Sequence, residues 1–479
     1  MLKMIKLVGL AVAALLAVLL FNTFRYAPEP YAPEEAALPA LNELAIAAKL
    51  SQAIQFKTIS HPLGAPNRSE DFQGFLDRLD VAFPNATAAM DQTLVSVFTP
   101  VFRWPGRETN SKPILISTHY DVVPGESDWS RDPWAGEIAD GYVWGRGAID
   151  MKSGVITLLE ALDMLVEEDF QPQRDIYVTI TQDEEIGGKG GAQAVAAFMQ
   201  DNNIEIDWTL DEGSFVLRDI IGAVEIDLAI INEAEIGFMT LRITASANGG
   251  HSSMPQAATA ISRLAEAITD LQSNPIPGGL SGLSEDMFTG LGPNMGFAER
   301  VLFANMWLTR PLLERILSAT NTTNAVLRTT TAATMLTGAK AENVLPQAAS
   351  VVVNFRLHPR DSVETVLRHV EELLPQDHFE FEVLNARAAS PVGNHENSVF
   401  SHLKTTTQQV FGDVVVLPGL TVGGTDSAHN AGLTNDSYRF LPFVATSEDV
   451  GLLHAKDERI SVENLKRATE FYYLFLKGL

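Results

Sequence analysis

From Leu41 onward, the pattern of hydrophobic and polar positions divides the chain into helix-like and strand-like segments that follow one another. Residues 41–56 and 151–168 carry apolar side chains at the spacing of an α-helix. The short runs "KPILIST" (112–118), "RDIYVTITQ" (174–182) and "IDWTLDEG" (206–213) have the composition of buried strands. Because strands alternate with helices, the pattern predicts an α/β fold built on a mostly parallel sheet with both faces covered.

The amino terminus has a different pattern. Lys3 and Lys6 precede an uninterrupted apolar run from Leu7 to Phe21, which is typical of an export signal. No A-x-A cleavage pattern follows, so an uncleaved anchor over residues 1–26 is favoured, with a cleaved signal peptide as the alternative. The apolar run thus predicts a single helix that holds the body at the membrane. The lysines on its short side predict that the body lies outside the cytoplasm. Residues 27–40, rich in Pro, Ala and Glu, then form a stiff spacer.

Composition restricts the classes of protein that remain. With 479 residues the chain is long enough for two or three domains. A net charge of −26 argues against a nucleic-acid partner, because a protein that binds phosphates needs a cationic surface. There is no cysteine, so disulfides, thiol catalysis and thiolate metal sites are excluded.

Polar side chains that are able to bind metal follow each of the three predicted strands. They are His119 and Asp121 after the first, Asp183, Glu184 and Glu185 after the second, and Asp211 and Glu212 after the third. Asp150 stands in a glycine-rich turn just before a helix. Each residue alone has a plain explanation, such as a solvated loop or a favourable charge at a helix start. Together they are expected at one sheet edge, where ligands bind in parallel α/β proteins, and His with carboxylates suits Zn²⁺, Co²⁺ or Mn²⁺.

His119 and Asp121 are separated by one residue. In an extended segment, residues i and i+2 face the same side. The Asp121 carboxylate is therefore predicted to hold the second ring nitrogen of His119 and to fix its tautomer.

The motifs together resemble those of a known family. They are "STHYDVVPG", "DGYVWGRGAIDMKSG", "TQDEEIGGKGGAQ", "DEG", "LLHAKDERI", "NGGHSSMP", "AENVLP" and "GGTDSAHN". Over residues 41–479 the chain is similar to the co-catalytic zinc amidohydrolases and peptidases that include aminoacylase, succinyl-diaminopimelate desuccinylase, carnosinase and carboxypeptidase S. "SYRFLP" (437–442) and the long insert at 278–317 are most similar to the branch of carboxypeptidase S and N-fatty-acyl-amino-acid hydrolase.

The resemblance implies a centre of two zinc ions, with Co or Mn as substitutes. One zinc would be held by His119, Asp150 and Asp211, and the other by Asp150, Glu185 and His454, with the Asp150 carboxylate between them. Glu184 would be the general base that takes a proton from water. Only the resemblance identifies His454 as a ligand, because the stretch "VGLLHAKDE" alone is typical of a histidine in a helix or turn.

The resemblance also implies a ferredoxin-like α+β lid domain over 236–387, inserted between catalytic parts at 41–235 and 388–479. His251 on this lid would stabilise the oxyanion of the transition state, often in the site of a partner subunit, which implies a homodimer through the lid. A turn histidine is the plain alternative. Asn343 would contact the substrate in the same region.

The predicted substrate is an N-acyl amino acid or a small peptide with a free carboxylate. Relatives in this branch usually carry Arg where Ala428 stands, so Arg356 and Arg439 are the candidates to bind the carboxylate. Either could equally form a structural ion pair. The apolar insert at 278–317 is either extra lid core or an acyl-chain surface. Two alternatives stay open: carboxypeptidase or dipeptidase action on small peptides, and a non-catalytic membrane-anchored binding scaffold.

Overall fold

The computed structural model describes residues 1–28, 36–61, 68–108, 110–125, 128–222 and 224–479. Part of the predicted spacer, 29–35, therefore lies outside the described residues. The strands are β1 Asp91–Ser96, β2 Thr99–Trp104, β3 Ile114–His119, β4 Glu137–Ala139, β5 Tyr142–Trp144, β6 Ile176–Thr181, β7 Thr209–Asp211, β8 Val216–Leu217, β9 Asp227–Glu235, β10 Gly237–Ser246, β11 Gly250–His251, β12 Thr330–Thr337, β13 Val344–Leu345, β14 Ala348–Leu357, β15 Phe379–Arg387, β16 Val414–Thr421, β17 Ser437–Arg439, β18 Val444–Ala445 and β19 Arg459–Ser461.

The helices are α1 Leu2–Arg25, α2 Glu43–Ile54, α3 Ser69–Ala82, α4 Pro84–Ala89, α5 Lys152–Glu167, α6 Ala192–Asp201, α7 Ala260–Ser273, α8 Leu283–Leu291, α9 Phe297–Ala304, α10 Met306–Leu317, α11 Asn321–Leu327, α12 Val363–Leu373, α13 Ser398–Phe411, α14 Ser447–Val450 and α15 Val462–Lys477. Short 3₁₀ turns cover Glu184–Ile186, Gly292–Asn294 and Asp426–Gly432.

The chain divides into two compact units. The first comprises residues 1–233, 287–304 and 392–479, and the second comprises 234–286 and 305–391. The lid range predicted from the sequence, 236–387, includes residues 287–304, which cluster with the first unit instead. The three-part domain division otherwise stays a prediction.

The first unit is built on a ten-stranded sheet in the order β1-β2-β6-β3-β7-β17-β9-β8-β18, with β16 also paired to β9. The central strands β6, β3, β7 and β17 are parallel, whereas β1, β2 and β9 pair antiparallel with their neighbours. Every residue of β3 and β6 is buried, as expected for strands covered on both faces. The α/β prediction is confirmed, but the sheet is mixed rather than mostly parallel.

The second unit contains a four-stranded antiparallel sheet in the order β12-β14-β10-β15. Alternate residues of β10 and β14 are buried against apolar side chains of α7 and α12, the pattern of a sheet with one covered face. Strands and packed helices follow in the order β-α-β-β-α-β, as in ferredoxin-like domains. The action of this unit as a lid stays a prediction.

Helix α1 is apolar on all sides from Leu7 to Phe21 and none of these residues is buried, whereas Thr23 in its last turns is. Its length and composition are those of a helix able to cross a membrane, and a signal sequence would have the same properties. At its carboxyl end the Phe24 ring lies 6.0 Å from the ring of Phe297 on α9. The Tyr26 hydroxyl donates a hydrogen bond to the Thr289 carbonyl.

Candidate active site

The carboxyl ends of β6, β3 and β7 meet at one edge of the first unit's sheet. The three strands are parallel neighbours, with His119 opposite Thr181 in the register. The chain leaves β6 into the 3₁₀ turn that carries Glu184 and Glu185, and β7 ends at Asp211. The polar residues that follow the strands in the sequence therefore share this edge, which we call the site edge.

His119 is the buried centre of the first group of side chains. Its Nε2 lies 3.1 Å from Asp150 Oδ1 and 3.2 Å from Glu212 Oε1. Its Nδ1 lies 3.3 Å from Asp121 Oδ1, the contact that the i, i+2 spacing predicts. Burial alone would lower the pKa of His119, but the charge of Glu212 and hydrogen bonds with these carboxylates raise it well above its ordinary value.

Asp150 joins this group to a second one. Its Oδ2 lies 3.1 Å from Nε2 of His454, which in turn lies 3.1 Å from Glu185 Oε2. Hydrogen bonds with Asp150 and Glu185 raise the pKa of His454 to about 10. The peptide bond after Asp150 is cis. One carboxylate thus contacts a histidine on each side.

Asp121 holds more than the imidazole of His119. Its Oδ1 accepts a hydrogen bond from the Glu184 N–H at 3.1 Å, and its Oδ2 accepts one from the Glu185 N–H at 3.2 Å. The Ser60 hydroxyl donates to the same Oδ2 at 2.6 Å. Asp121 therefore fixes the turn that carries Glu184 and Glu185, a role that the sequence did not reveal.

Glu212, rather than Asp211, is the carboxylate brought to His119. Asp211 Oδ1 accepts a hydrogen bond from the Glu212 N–H at 2.9 Å, and the charge of Arg439 acts on Asp211. Burial raises the pKa of Asp211 to about 8. Successive residues at a strand end point to opposite sides, so only one of the two faces His119. Asp211 therefore makes no contact with His119 that would match its predicted ligand role, and the carboxylate of Glu212 makes that contact instead; the ligand role of Asp211 stays a prediction.

Two sets of atoms at the site edge have the arrangement of metal ligands. They are His119, Glu184 and Glu212 in one set and Asp150, Glu185 and His454 in the other, and within each set the ligand atoms lie within 4.8 Å of one another. In the described part of the chain, Glu185 Oε1 and Asp211 Oδ2 are buried with no hydrogen-bond partner. Buried carboxylate oxygens without donors are costly unless a cation neutralises them. Nitrogen and oxygen donors without thiolates fit Zn²⁺, Co²⁺ or Mn²⁺.

The remaining predicted site residues lie elsewhere. His251 and Asn343 are exposed neighbours in the second unit, where the Ser252 N–H donates to the Asn343 carbonyl at 3.1 Å. Arg356 is also in the second unit, exposed on β14. Arg439 is in the first unit but fully buried, where its guanidinium donates to the Ser427 hydroxyl and to a backbone carbonyl. It lies on β17 opposite Asp211 in the register, and its contact with the substrate carboxylate stays a prediction.

A pocket opens beside the site edge within the first unit. It has a volume of about 330 Å³ and includes Asp150 and Glu212 in its wall. Its other side chains are mainly apolar, among them Phe215, Met287 and Leu420. Among the described residues that line it, none is Arg or Lys.

Comparison with known proteins supports the resemblance. The model of peptidase family M20/M25/M40 matches residues 115–478. N-fatty-acyl-amino acid synthase/hydrolase PM20D1 from Xenopus tropicalis is 35% identical, over 98% of this chain and 94% of its own. Probable carboxypeptidase S-like 2 from Dictyostelium discoideum is 33% identical, over 97% of this chain and 92% of its own.

Solved structures share the fold. An M20 family metallo-carboxypeptidase from Sulfolobus solfataricus matches with a TM-score of 0.64 at 18% identity, covering 91% of this chain and 99% of that one. Human carnosine dipeptidase 1 matches with a TM-score of 0.60 at 16% identity, covering 92% and 100%. The family match, the relatives and the shared fold agree, and the chain therefore belongs to peptidase family M20/M25/M40, a family of metal-dependent hydrolases.

Proposed function

We propose that this protein hydrolyses the amide bond of N-acyl amino acids with an apolar acyl group, at a centre of two zinc ions. The observation that carries the proposal is the pair of contacts made by Asp150, whose two oxygens each lie 3.1 Å from a histidine Nε2. A carboxylate shared by two sets of ligands is the arrangement that a two-metal site requires. Co²⁺ or Mn²⁺ would serve in place of Zn²⁺.

The ligand atoms divide between the two sides of Asp150. His119 and Glu212 would hold one ion, and Glu185 and His454 the other. Asp211 stays a second candidate for the first ion, because its buried Oδ2 has no hydrogen-bond partner in the described part of the chain. When bound, the ions would polarise the attacking water and the scissile carbonyl.

Glu184 is the proposed general base. Its carboxylate accepts the proton of the attacking water and returns it to the nitrogen of the leaving amine. Burial raises the pKa of Glu184 well above its ordinary value, which suits a group that must both accept and donate a proton. Asp121 keeps the backbone of Glu184 in place and fixes the orientation of His119.

The pocket beside the site edge is the proposed place of the acyl half of the substrate. An amino acid half carries a carboxylate, which needs a cation, whereas the described lining of this pocket is mainly apolar beyond Asp150 and Glu212 and lacks Arg and Lys. The relatives named N-fatty-acyl-amino acid synthase/hydrolase support an apolar acyl group. Those named as carboxypeptidase S-like proteins support the second candidate, the cleavage of small peptides.

The roles of the second unit rest on the family resemblance. We propose that it acts as a lid, that His251 and Asn343 contact the reacting substrate, and that it forms a homodimer contact. Arg356 stays the candidate for the substrate carboxylate, since Arg439 is fully buried. The apolar α1 supports a membrane anchor with the hydrolase body outside the cytoplasm.

The proposal is tested by measuring the free amino acid that zinc-loaded protein releases from matched substrates. The panel holds acetyl, octanoyl and hexadecanoyl derivatives of one amino acid, the corresponding amides, and dipeptides. We expect release from the acyl amino acids, its loss with a chelator and its return with Zn²⁺. Faster cleavage of dipeptides would favour the peptidase candidate, and release from none of them by metal-loaded protein would favour a binding scaffold.

A further inference from the structure

A second cavity in the first unit adjoins the pocket beside the site edge. We call it the back cavity, and it has a volume of about 210 Å³. Ile149 and Phe215 line both spaces. Ile149 immediately precedes Asp150, so the shared wall stands next to the shared carboxylate of the metal site.

The wall between the two spaces consists of apolar side chains that differ in how firmly they are held. Ile149 is buried, at 6% exposure. Its backbone is held by Glu458, whose carboxylate accepts hydrogen bonds from the N–H groups of Ile149 and Asp150 at 2.8 and 3.2 Å. Phe215 is only partly buried and stands on a short segment between the site edge and β8. Phe215 is therefore the less firmly held of the two side chains that line both spaces.

The back cavity is lined by apolar side chains together with polar and charged ones. Phe443, Val444 and Ile460 contribute to its lining. Its three arginines each pair with a carboxylate: Arg218 with Asp227 at 2.6 Å, Arg459 with Glu448 at 2.5 Å, and Arg467 with Glu463 at 2.8 Å. Because each guanidinium already has a carboxylate partner, an uncharged chain suits this cavity better than an anion.

We propose that the back cavity binds the far end of a long acyl chain, and that Phe215 determines which chain lengths enter it. The inference rests on the proposed function, since it assigns the acyl half of the substrate to the first pocket. Short acyl groups end within the first pocket. Longer chains pass Ile149 and Phe215 and bury their terminal methylenes against Phe443 and Val450.

The test compares two valine-to-phenylalanine variants on octanoyl and hexadecanoyl derivatives of one amino acid. Val450 lines only the back cavity and Val422 only the first pocket, and both are partly exposed, at 39% and 44%. Val450→Phe should lower the hexadecanoyl-to-octanoyl ratio of kcat/KM by about tenfold or more, as expected when two or more methylenes lose their burial. Val422→Phe should lower both rates and leave that ratio within about threefold of wild type.

Phe215→Trp, which enlarges the shared wall, provides a second variant if Val450→Phe does not fold, and it should lower the same ratio. A ratio equal to that of wild type in each folded variant would overturn the chain path while leaving acyl-amino-acid hydrolysis intact. Wild-type protein that hydrolyses neither substrate would overturn the proposed function and this inference together. The two failures are therefore distinct.

Discussion

Two adjacent residues, Asp211 and Glu212, show how narrowly the site depends on side-chain direction. Both are carboxylates at the end of β7, and the chain pattern treats them alike. Glu212 Oε1 lies 3.2 Å from His119 Nε2, whereas Asp211 accepts a hydrogen bond from the N–H of Glu212. Two chemically similar neighbours therefore make different contacts: Glu212 contacts the imidazole of His119, and Asp211 contacts the backbone.

This difference predicts unequal effects of two matched substitutions. Loss of a residue that only supports a metal ligand typically lowers metal affinity by roughly 10–100-fold. Glu212→Gln removes the charge of a proposed ligand itself, so it should lower zinc affinity by more than this. Asp211→Asn should stay within that range. Competition with a fluorescent chelator measures both affinities, and a larger loss in Asp211→Asn would return the ligand role to Asp211.

Glu184 gives the second prediction at this scale. Glu184→Gln keeps the shape of the side chain but removes its ability to accept a proton. Turnover should therefore fall by about 10²–10⁴-fold, while zinc content stays at the wild-type level. Metal analysis beside kcat on an acyl amino acid checks both. An undiminished kcat would show that another group takes the proton.

At the element scale, the turn before α5 is supported from inside by one buried ion pair. Arg146 Nη1 lies 2.6 Å from Glu458 Oε2, and the two side chains are 2% and 0% exposed. The other oxygen of Glu458 accepts the N–H groups of Ile149 and Asp150. This arrangement connects the turn that carries Asp150 to the start of β19. The stability of the turn and the position of the Asp150 carboxylate therefore depend on the same contact.

Arg146→Met is therefore predicted to destabilise the protein by about 3–5 kcal/mol, because it leaves the Glu458 carboxylate buried without a cation. The control is Lys112→Met, which breaks the exposed pair between Lys112 and Glu205 and should cost no more than about 1 kcal/mol. Urea denaturation followed by tryptophan fluorescence measures both. Equal costs for the two variants would contradict the structural role of the buried pair.

The sequence predicted the elements of the site better than their surroundings. β6 and β7 lie within their predicted strand runs and β3 extends one residue beyond its run, to His119, because buried parallel strands are continuous apolar segments. The antiparallel flanks were missed, since strand direction leaves no mark on an apolar run. His454 sits in a turn with φ of 58°, far along the chain from the residues it contacts, so only the family resemblance could connect it to them.

At the scale of the whole molecule, the chain forms two compact units, and the first of them includes the apolar amino-terminal helix α1. The proposed ligands and the base all lie in the first unit. The Phe24 ring at the end of α1 contacts Phe297 of α9, and the following Tyr26 donates a hydrogen bond to the Thr289 carbonyl of α8. The apolar helix and the proposed metal ligands thus lie in separate parts of the sequence of the first unit.

Deletion of residues 1–26 should therefore release the protein from membranes and keep its activity. The full chain, made in cells, is expected to sediment with the membrane fraction, because α1 is long and apolar. The shortened chain should remain in the supernatant with kcat/KM for an acetyl amino acid within about twofold of the full chain, since no proposed ligand is removed. Sedimentation of the shortened chain with membranes would show that another surface binds the bilayer.

The most direct test of the account is a zinc titration of metal-free protein with amide hydrolysis as the readout. Two sets of ligands on either side of Asp150 predict that the hydrolysis of an acyl amino acid rises until about two equivalents of Zn²⁺ are bound. It should then stay constant, and Asp150→Ala should bind less zinc and show no rise. Full activity before any zinc is added, or with Asp150→Ala, would contradict a two-metal centre built on this carboxylate.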